Sequence, residues 1–220
     1  MGDTTISADR VAVLVVDDHE IVREGLTVVL ERCPRLCVVA CATSGTEAVA
    51  TALRFKPDVV VMDLVLPDLN GIDATERILR ELPRTRIVIL SACHSSEHVV
   101  RAMRAGARGY VLKQSAASEI VKAVLAVLDG KAYLSPPVAA AVQGYELDPA
   151  RRSPLERLSS REREVLHLTA GGATSSAIAR QMNLSPKTVE TYRSRIMRKL
   201  GVSDRTALIH FAIEHALTPV

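Results

Sequence analysis

The sequence predicts an α/β protein in two parts: a doubly wound five-stranded parallel sheet, followed by a small all-α domain of four helices. Three observations predict it. Short apolar runs alternate with helix-like patterns through the first 130 residues, as a parallel sheet covered on both faces requires. That alternation stops over 130–156, where SPPVAAAVQGYELDPARRSPLE holds four prolines and only one short Ala/Val stretch. Charge divides at the same place: residues 1–150 carry 16 Lys+Arg and 19 Asp+Glu, net −3, while 151–220 carry 12 and 6, net +6.

The strands read, in order, VAVLVV (11–16), CVVA (37–40), VVVM (59–62), RIVIL (86–90) and GYVL (109–112). Between them, segments such as GTEAVATALRF and SEHVVRAMRAGA repeat apolar residues at three- and four-residue spacing, the period of a helix with one buried face. Residues 9–130 are therefore one domain, 131–155 a linker with room for one brief helix, and 156–220 a second domain. In the second domain each helix start is marked by Ser, Thr or Asp. Ser159 and Glu162 have capping-box spacing before SREREVLHLTA, which stops at Gly171-Gly172. A helix over about 174–182 ends near Asn183, and Ser185 with Pro186 opens PKTVETYRSRIMRKL, which stops at Gly201. A last helix covers about 204–217.

Composition narrows the function. Hydrophobic residues make up 48% of the chain and aromatics only 3%, so Val, Leu, Ile and Ala must fill the core. No apolar run reaches the roughly 18 residues that span a bilayer, and the polar start MGDTTISADR is unlike a secretory signal. The expectation is a cytoplasmic protein with no membrane partner. Cys33, Cys37, Cys41 and Cys93 form no CxxC pair and receive no role. His94 and His98 stand at i, i+4 but lack a third ligand nearby, so they read as the solvated start of a helix.

A parallel alternating sheet brings the C-terminal ends of its strands to one edge, where ligands bind. Asp17 and Asp18 end the first strand, Asp63 the third, Ser91 the fourth and Lys113 the fifth. Carboxylates crowded at such an edge raise one another's pKa unless a cation joins them, and a few hard oxygen ligands suit Mg²⁺. A carboxylate beside Mg²⁺ can also attack phosphorus and form an aspartyl phosphate. Asp63, on the central strand, is the candidate. Lys113 would neutralise the phosphoryl oxygens, and Ser91 would donate a hydrogen bond to them.

The helix 186–200 separates into two sides at 100° per residue. Val189, Tyr192, Ile196 and Leu200 make a packing stripe, while Lys187, Glu190, Thr191, Ser194 and Arg198 face the other way. A polar, basic outer face is what a helix entering a DNA major groove needs. Thr191, Ser194 and Glu190 are candidates for base edges. Lys187, Thr188, Arg193, Arg195, Arg198 and Lys199 are candidates for phosphate contacts that fix register.

These motifs carry a resemblance. Asp17–Asp18, Asp63 with Pro67 and Gly71, Ser91–Ala92 and Gly109-Tyr110-Val111-Leu112-Lys113 resemble the receiver domain of two-component response regulators, a flavodoxin-like fold. The resemblance implies that the main-chain carbonyl of Val65 joins Asp17, Asp18 and Asp63 around Mg²⁺, and that Ser91 works with Tyr110 as a switch. Gln114 departs from the proline frequent after the family's lysine. LSSREREVLHLTAGG (158–172) and IARQMNLSPKTVETYRSRIMRKLGV (178–202) resemble the LuxR-type helix-turn-helix. Together they make the chain similar to NarL/FixJ-type response regulators, whose final helix helps form a homodimer on DNA.

The expected function is a phosphorylation-controlled transcription regulator. A sensor histidine kinase would phosphorylate Asp63, and the second domain would bind double-stranded promoter DNA. It would be a regulatory protein rather than an enzyme, promoting only its own phosphorylation and dephosphorylation. Two alternatives stay open: a DNA-binding regulator whose receiver no longer takes phosphate, and a phosphotransfer or protein-interaction module. A small enzyme on the same sheet would need a substrate pocket and base that the sequence does not offer.

Overall fold

A computed structural model describes residues 10–92, 95–115, 117–142 and 154–215. Six parallel strands form one sheet in the order β2-β1-β3-β4-β5-β6. They are β1 (Val11–Val16), β2 (Leu36–Ala42), β3 (Val59–Asp63), β4 (Arg86–Ser91), β5 (Gly109–Leu112) and β6 (Tyr133–Leu134). The helices α1 (Glu20–Glu31), α2 (Gly45–Phe55), α3 (Gly71–Glu81), α4 (Ser96–Arg104) and α5 (Ala117–Leu128) connect them.

Alternate strand residues point to opposite faces, and each face has its own core. Leu14, Val16, Val60 and Met62 pack with Ala48 and Ala52 of α2, Ile72 and Ile78 of α3, and Val99 of α4. On the other face Val13, Val15, Val59 and Val61 pack with Leu30 of α1 and with Ile120, Val124 and Val127 of α5. Burial on both sides explains why these strands read as unbroken apolar runs.

The sheet has one strand more than the five expected, and its source lies in the expected linker. Tyr133 and Leu134 pair with Gly109 and Tyr110. After them α6 (Pro136–Val142) seats Val138, fully buried, in the α2–α4 core, and Ser96 Oγ donates to Ala141 O at 2.7 Å. Pro136 and Pro137 do not prevent the helix, because a first-turn residue has no helical acceptor for its N–H.

A 3₁₀ turn (Pro154–Arg157) leads into α7 (Ser160–Ala170), α8 (Ser175–Met182), α9 (Pro186–Leu200) and α10 (Arg205–Glu214). The capping box of Ser159 and Glu162 forms, Ser185 caps α9 by accepting from the Thr188 N–H, and Gly201 ends it at φ 72°. Leu155, Val165, Leu166, Ile178, Val189, Ile196, Leu208 and Ala212 make a separate core.

Candidate metal centre and nucleic-acid interface

Strand order reverses between β1 and β3, because their outward connections run to opposite sides of the sheet. A crevice opens at the carboxyl ends of two such strands. Asp17 follows β1 and Asp63 closes β3, so the topology itself sets them on either side of that crevice.

Lys113 joins them. Its Nζ lies 2.7 Å from Asp17 Oδ2 and 2.8 Å from Asp63 Oδ2. The two acids are 0% and 3% exposed, so one ammonium serves two buried carboxylates. Burial raises Asp63 to about 6, with Asp17 adding to the shift and Lys113 opposing it. Burial works against the charge on Lys113, but the Asp63 and Asp17 carboxylates outweigh it and raise its pKa.

Asp18 and His19 complete the edge. His19 Nδ1 lies 2.7 Å from Asp18 Oδ1 and 3.3 Å from Asp17 Oδ1. Asp17, Asp18 and His19 offer ligand atoms within 4.8 Å of one another, whereas Asp63 connects to this group through Lys113. The sequence reading missed His19. Its signal was only its place at the N-cap of α1, directly after the acid pair.

Whether these residues fit a divalent cation is tested by their unmet atoms. Asp17 Oδ2 and Asp18 Oδ1 are buried without an aligned hydrogen bond, although each has a basic nitrogen close by. Three carboxylates against the Lys113 ammonium and the Arg23 guanidinium, which donates to the Asp17 carbonyl at 2.8 Å, still leave a net negative edge of hard oxygens, and that set fits Mg²⁺.

The remaining expected residues lie close. Ser91 ends β4 at 1% exposure, and its carbonyl accepts from the Lys113 N–H at 2.8 Å. Tyr110, in β5, is fully buried in the α2–α4 core. Val65 follows Asp63 by two residues, and its N–H donates to Asp63 Oδ1 at 3.4 Å. Gly71 opens α3 against the site itself: a Cβ there would lie 2.0 Å from the Asp63 carbonyl oxygen, so only glycine fits without displacement.

On the second domain Lys187, Glu190, Thr191, Ser194, Arg195 and Arg198 of α9 are exposed, with Thr188 half-buried. Arg193 requires a correction. It is 7% exposed and donates to Thr169 Oγ1 (3.1 Å), Ser175 Oγ (2.6 Å), Glu190 Oε1 (3.0 Å) and Ala173 O (3.3 Å). It is a junction of α7, α8 and α9, not a cation turned to solvent. Lys199 is also committed within the domain, 2.6 Å from Glu162 Oε2. Glu190 Oε1 accepts from Ser175 as well as Arg193, which ties a candidate base reader to α8. His98 is not the solvated residue expected: it is 2% exposed and contacts the His215 carbonyl. Cys93 and His94 lie outside the described residues.

Comparison with known proteins agrees with both halves. Residues 13–125 match the family described as "Response regulator receiver domain", and 156–212 match "Bacterial regulatory proteins, luxR family". The chain belongs to the LuxR-type response regulators. It is a two-component response regulator with a helix-turn-helix DNA-binding domain. It is 37% identical over 207 residues to the response regulator GacA of Pseudomonas protegens, covering 94% of this chain and 97% of that one. It is 39% identical over 207 residues to the transcriptional regulatory protein LiaR of Bacillus subtilis, covering 92% and 96%. Among solved structures, a RcsB–DNA complex aligns with TM-score 0.58 at 27% identity, covering 93% of this chain and 98% of that one. Receiver domains generally bind Mg²⁺ at this acidic pocket, and the family is one of regulators. No helix among the described residues is long and apolar enough to cross a membrane.

Proposed function

We propose that this response regulator is switched by phosphorylation of Asp63 by a sensor histidine kinase, and that the switched form binds promoter DNA as a homodimer. The single observation that supports this best is the bridge of Lys113 Nζ to Asp17 Oδ2 and Asp63 Oδ2, at 2.7 and 2.8 Å. It sets a carboxylate nucleophile beside a cation and beside two further acids.

Asp17, Asp18 and Asp63, with the Val65 carbonyl, would hold Mg²⁺. When bound, the ion supplies charge neutralisation between incoming phosphoryl oxygens and the acids. In the transfer, a carboxylate oxygen of Asp63 forms the new bond to phosphorus as the bond from phosphorus to the donor's histidine nitrogen breaks. Lys113 pairs with the phosphoryl oxygens, the Ser91 hydroxyl donates to one of them, and Tyr110 repacks with that movement. An apolar groove of about 270 Å³ between α1 and α5, lined by Ile21, Leu26, Val29, Ile120 and Lys113 among others, opens beside this edge and suits a helical partner.

On α9 the base-edge contacts fall to Glu190, Thr191 and Ser194, and the phosphate contacts to Lys187, Thr188, Arg195 and Arg198. With a kinase donor and a promoter as partners, the chain works in the cytoplasm. The test is incubation with a small phosphodonor and Mg²⁺. Wild type is expected to take up one base-labile phosphoryl group and Asp63→Ala none. Equal uptake by the two proteins sinks the reading.

A further inference from the structure

The outer face of α9 carries an acid. Glu190 is exposed there, while the other charged residues of that face, Lys187, Arg195 and Arg198, are cations. A carboxylate brought up to a phosphate backbone is repelled by it. An acid at this place therefore weakens binding to every sequence, unless a base edge supplies it with a hydrogen.

The two oxygens of Glu190 are not equivalent. Oε1 accepts from Arg193 Nη1 at 3.0 Å and from the Ser175 hydroxyl at the start of α8. Arg193 is itself 7% exposed and donates to the Thr169 hydroxyl and the Ala173 carbonyl, so the fork that grips Glu190 is fixed in the domain. Among the described residues no hydrogen bond reaches Oε2, and the Glu190 side chain remains 59% exposed. Thr191 has the same chemical bias. Its hydroxyl donates to the Lys187 carbonyl at 3.0 Å, so outward it offers lone pairs and a methyl group.

Acceptors select donors. In the major groove guanine shows the N7 and O6 acceptors and thymine the O4 acceptor and a methyl group, whereas cytosine and adenine each show an amino group. Adenine sets its N7 lone pair beside that amino group, which repels a carboxylate. Cytosine has a C–H on that side. An acceptor-only carboxylate is thus matched to cytosine, and adenine is the base of Asn and Gln.

We infer that Glu190 Oε2 reads the amino group of one cytosine in each half-site, and that Ser175 and Arg193 are the positioning residues that aim it. This rests on the DNA-binding reading of α9 and names the base it selects. Because Oε1 is held before DNA arrives, little side-chain freedom is lost on contact. Nor can the carboxylate swing away when another base takes the place of cytosine. The wrong base meets a fixed repelling oxygen, so the discrimination is built by α8 as well as by α9.

Selection of sites from a random duplex library tests this with the full chain, both untreated and treated with a phosphodonor and Mg²⁺. Wild type is expected to require C·G at one position of each half-site, and exchanging that pair is expected to weaken binding about tenfold. Glu190→Gln preserves the size of the side chain and is expected to move the preference at that position alone to A·T, because an amide matches adenine N6 and N7 together. Glu190→Ala is expected to flatten it. Ser175→Ala is expected to keep cytosine as the preferred base with a narrower margin, since one of the two restraints on Oε1 is gone. Rank order separates reading from structural support: an acid that only braces Arg193 would, when removed, weaken all sequences by one factor. Such a uniform loss, or an unchanged ranking in Glu190→Gln, overturns the cytosine assignment and leaves DNA binding standing. A full margin in Ser175→Ala overturns its positioning role. Failure of wild type to enrich any site under either treatment overturns the DNA-binding reading and the assignment with it.

Discussion

Arg193 carries five N–H donors in a rigid planar fork, and its neighbours supply oxygens from α7, the α7–α8 turn, α8 and α9. An arginine so placed is a tertiary fastener for the recognition helix. Replacing it with alanine leaves the fully buried Thr169 hydroxyl without the donor it now has and removes one from the half-buried Ala173 carbonyl. Arg193→Ala is expected to cost about 2–3 kcal/mol of effector-domain stability. Arg193→Lys should recover only a minor part, because one ammonium cannot reach oxygens set around a fork. Chemical unfolding monitored by a probe in the second domain measures both; a loss within the roughly 0.5 kcal/mol of an ordinary surface substitution would mean the fork is dispensable. This role was not legible in the sequence, where Arg193 sits among Arg195, Arg198 and Lys199 as one more cation. Periodicity assigns a side to each residue of a helix but says nothing of which oxygens the neighbouring helices bring to the border of that side. Asp17, Asp63 and Lys113 were legible for the opposite reason. Their positions follow from strand ends, which a parallel sheet gathers whatever the side chains do.

The start of α2 makes the same distinction at the level of the element. Its first N–H groups are met from a distance by Asp68, in the loop before α3: Gly45 N donates to Oδ1 at 2.8 Å and Thr46 N to Oδ2 at 3.1 Å, while Ser44 Oγ donates at 2.9 Å. The Leu69 N–H adds a fourth bond at 2.6 Å. Burial alone would raise the Asp68 pKa, but the hydrogen bonds from Thr46, Ser44 and Leu69 outweigh it and hold the carboxyl below 3.8. The ionised form is thus the stabilising one. Its contribution is complete above the unfolded value of 3.8 and is lost as pH falls through the lower folded value. Asp68→Ala is expected to cost about 1–2 kcal/mol, the range of a lost helix cap assisted by the helix dipole. Urea midpoints from pH 7 down to pH 5 should show a constant gap between wild type and variant; a gap that closes within that window contradicts the lowered pKa. The share of this cap that Asp68 supplies from another loop leaves no local pattern, whereas Ser44 accepting from the Glu47 N–H, Ser159 with Glu162 and Ser185 with Pro186 follow local spacing. The brief helix expected on the Ala/Val stretch is α6, but β6 and the seat of α6 were hidden: two paired residues have no period to detect, and only tertiary contacts, the pairing of Tyr133 and Leu134 with β5 and the burial of Val138 in the core, join this stretch to the sheet.

For the whole molecule, the charge split between the halves was legible, but the use of the charges was not. Net +6 over 151–220 suggests a broad DNA footprint, yet Arg163 is held by the receiver, Arg193 by its own domain and Lys199 by Glu162. Pairs such as Arg163 with Asp73 join residues far apart in the chain, and no local rule specifies them. The outward cations of α9 are Lys187, Arg195 and Arg198. This division can be read in the salt dependence of DNA binding, where each phosphate neutralised contributes about −0.9 to the slope of log affinity against log salt. In a homodimer each cation counts twice. Arg198→Ala is therefore expected to make the slope less steep by about 1.8, and Arg195→Ala likewise. Arg193→Ala is expected to weaken binding through a misplaced α9 with the slope unchanged. Titrations of the three variants against one duplex, below the unfolding temperature of each, separate the cases. A slope change for Arg193→Ala equal to that for Arg198→Ala would return Arg193 to the DNA surface and remove it from the interior.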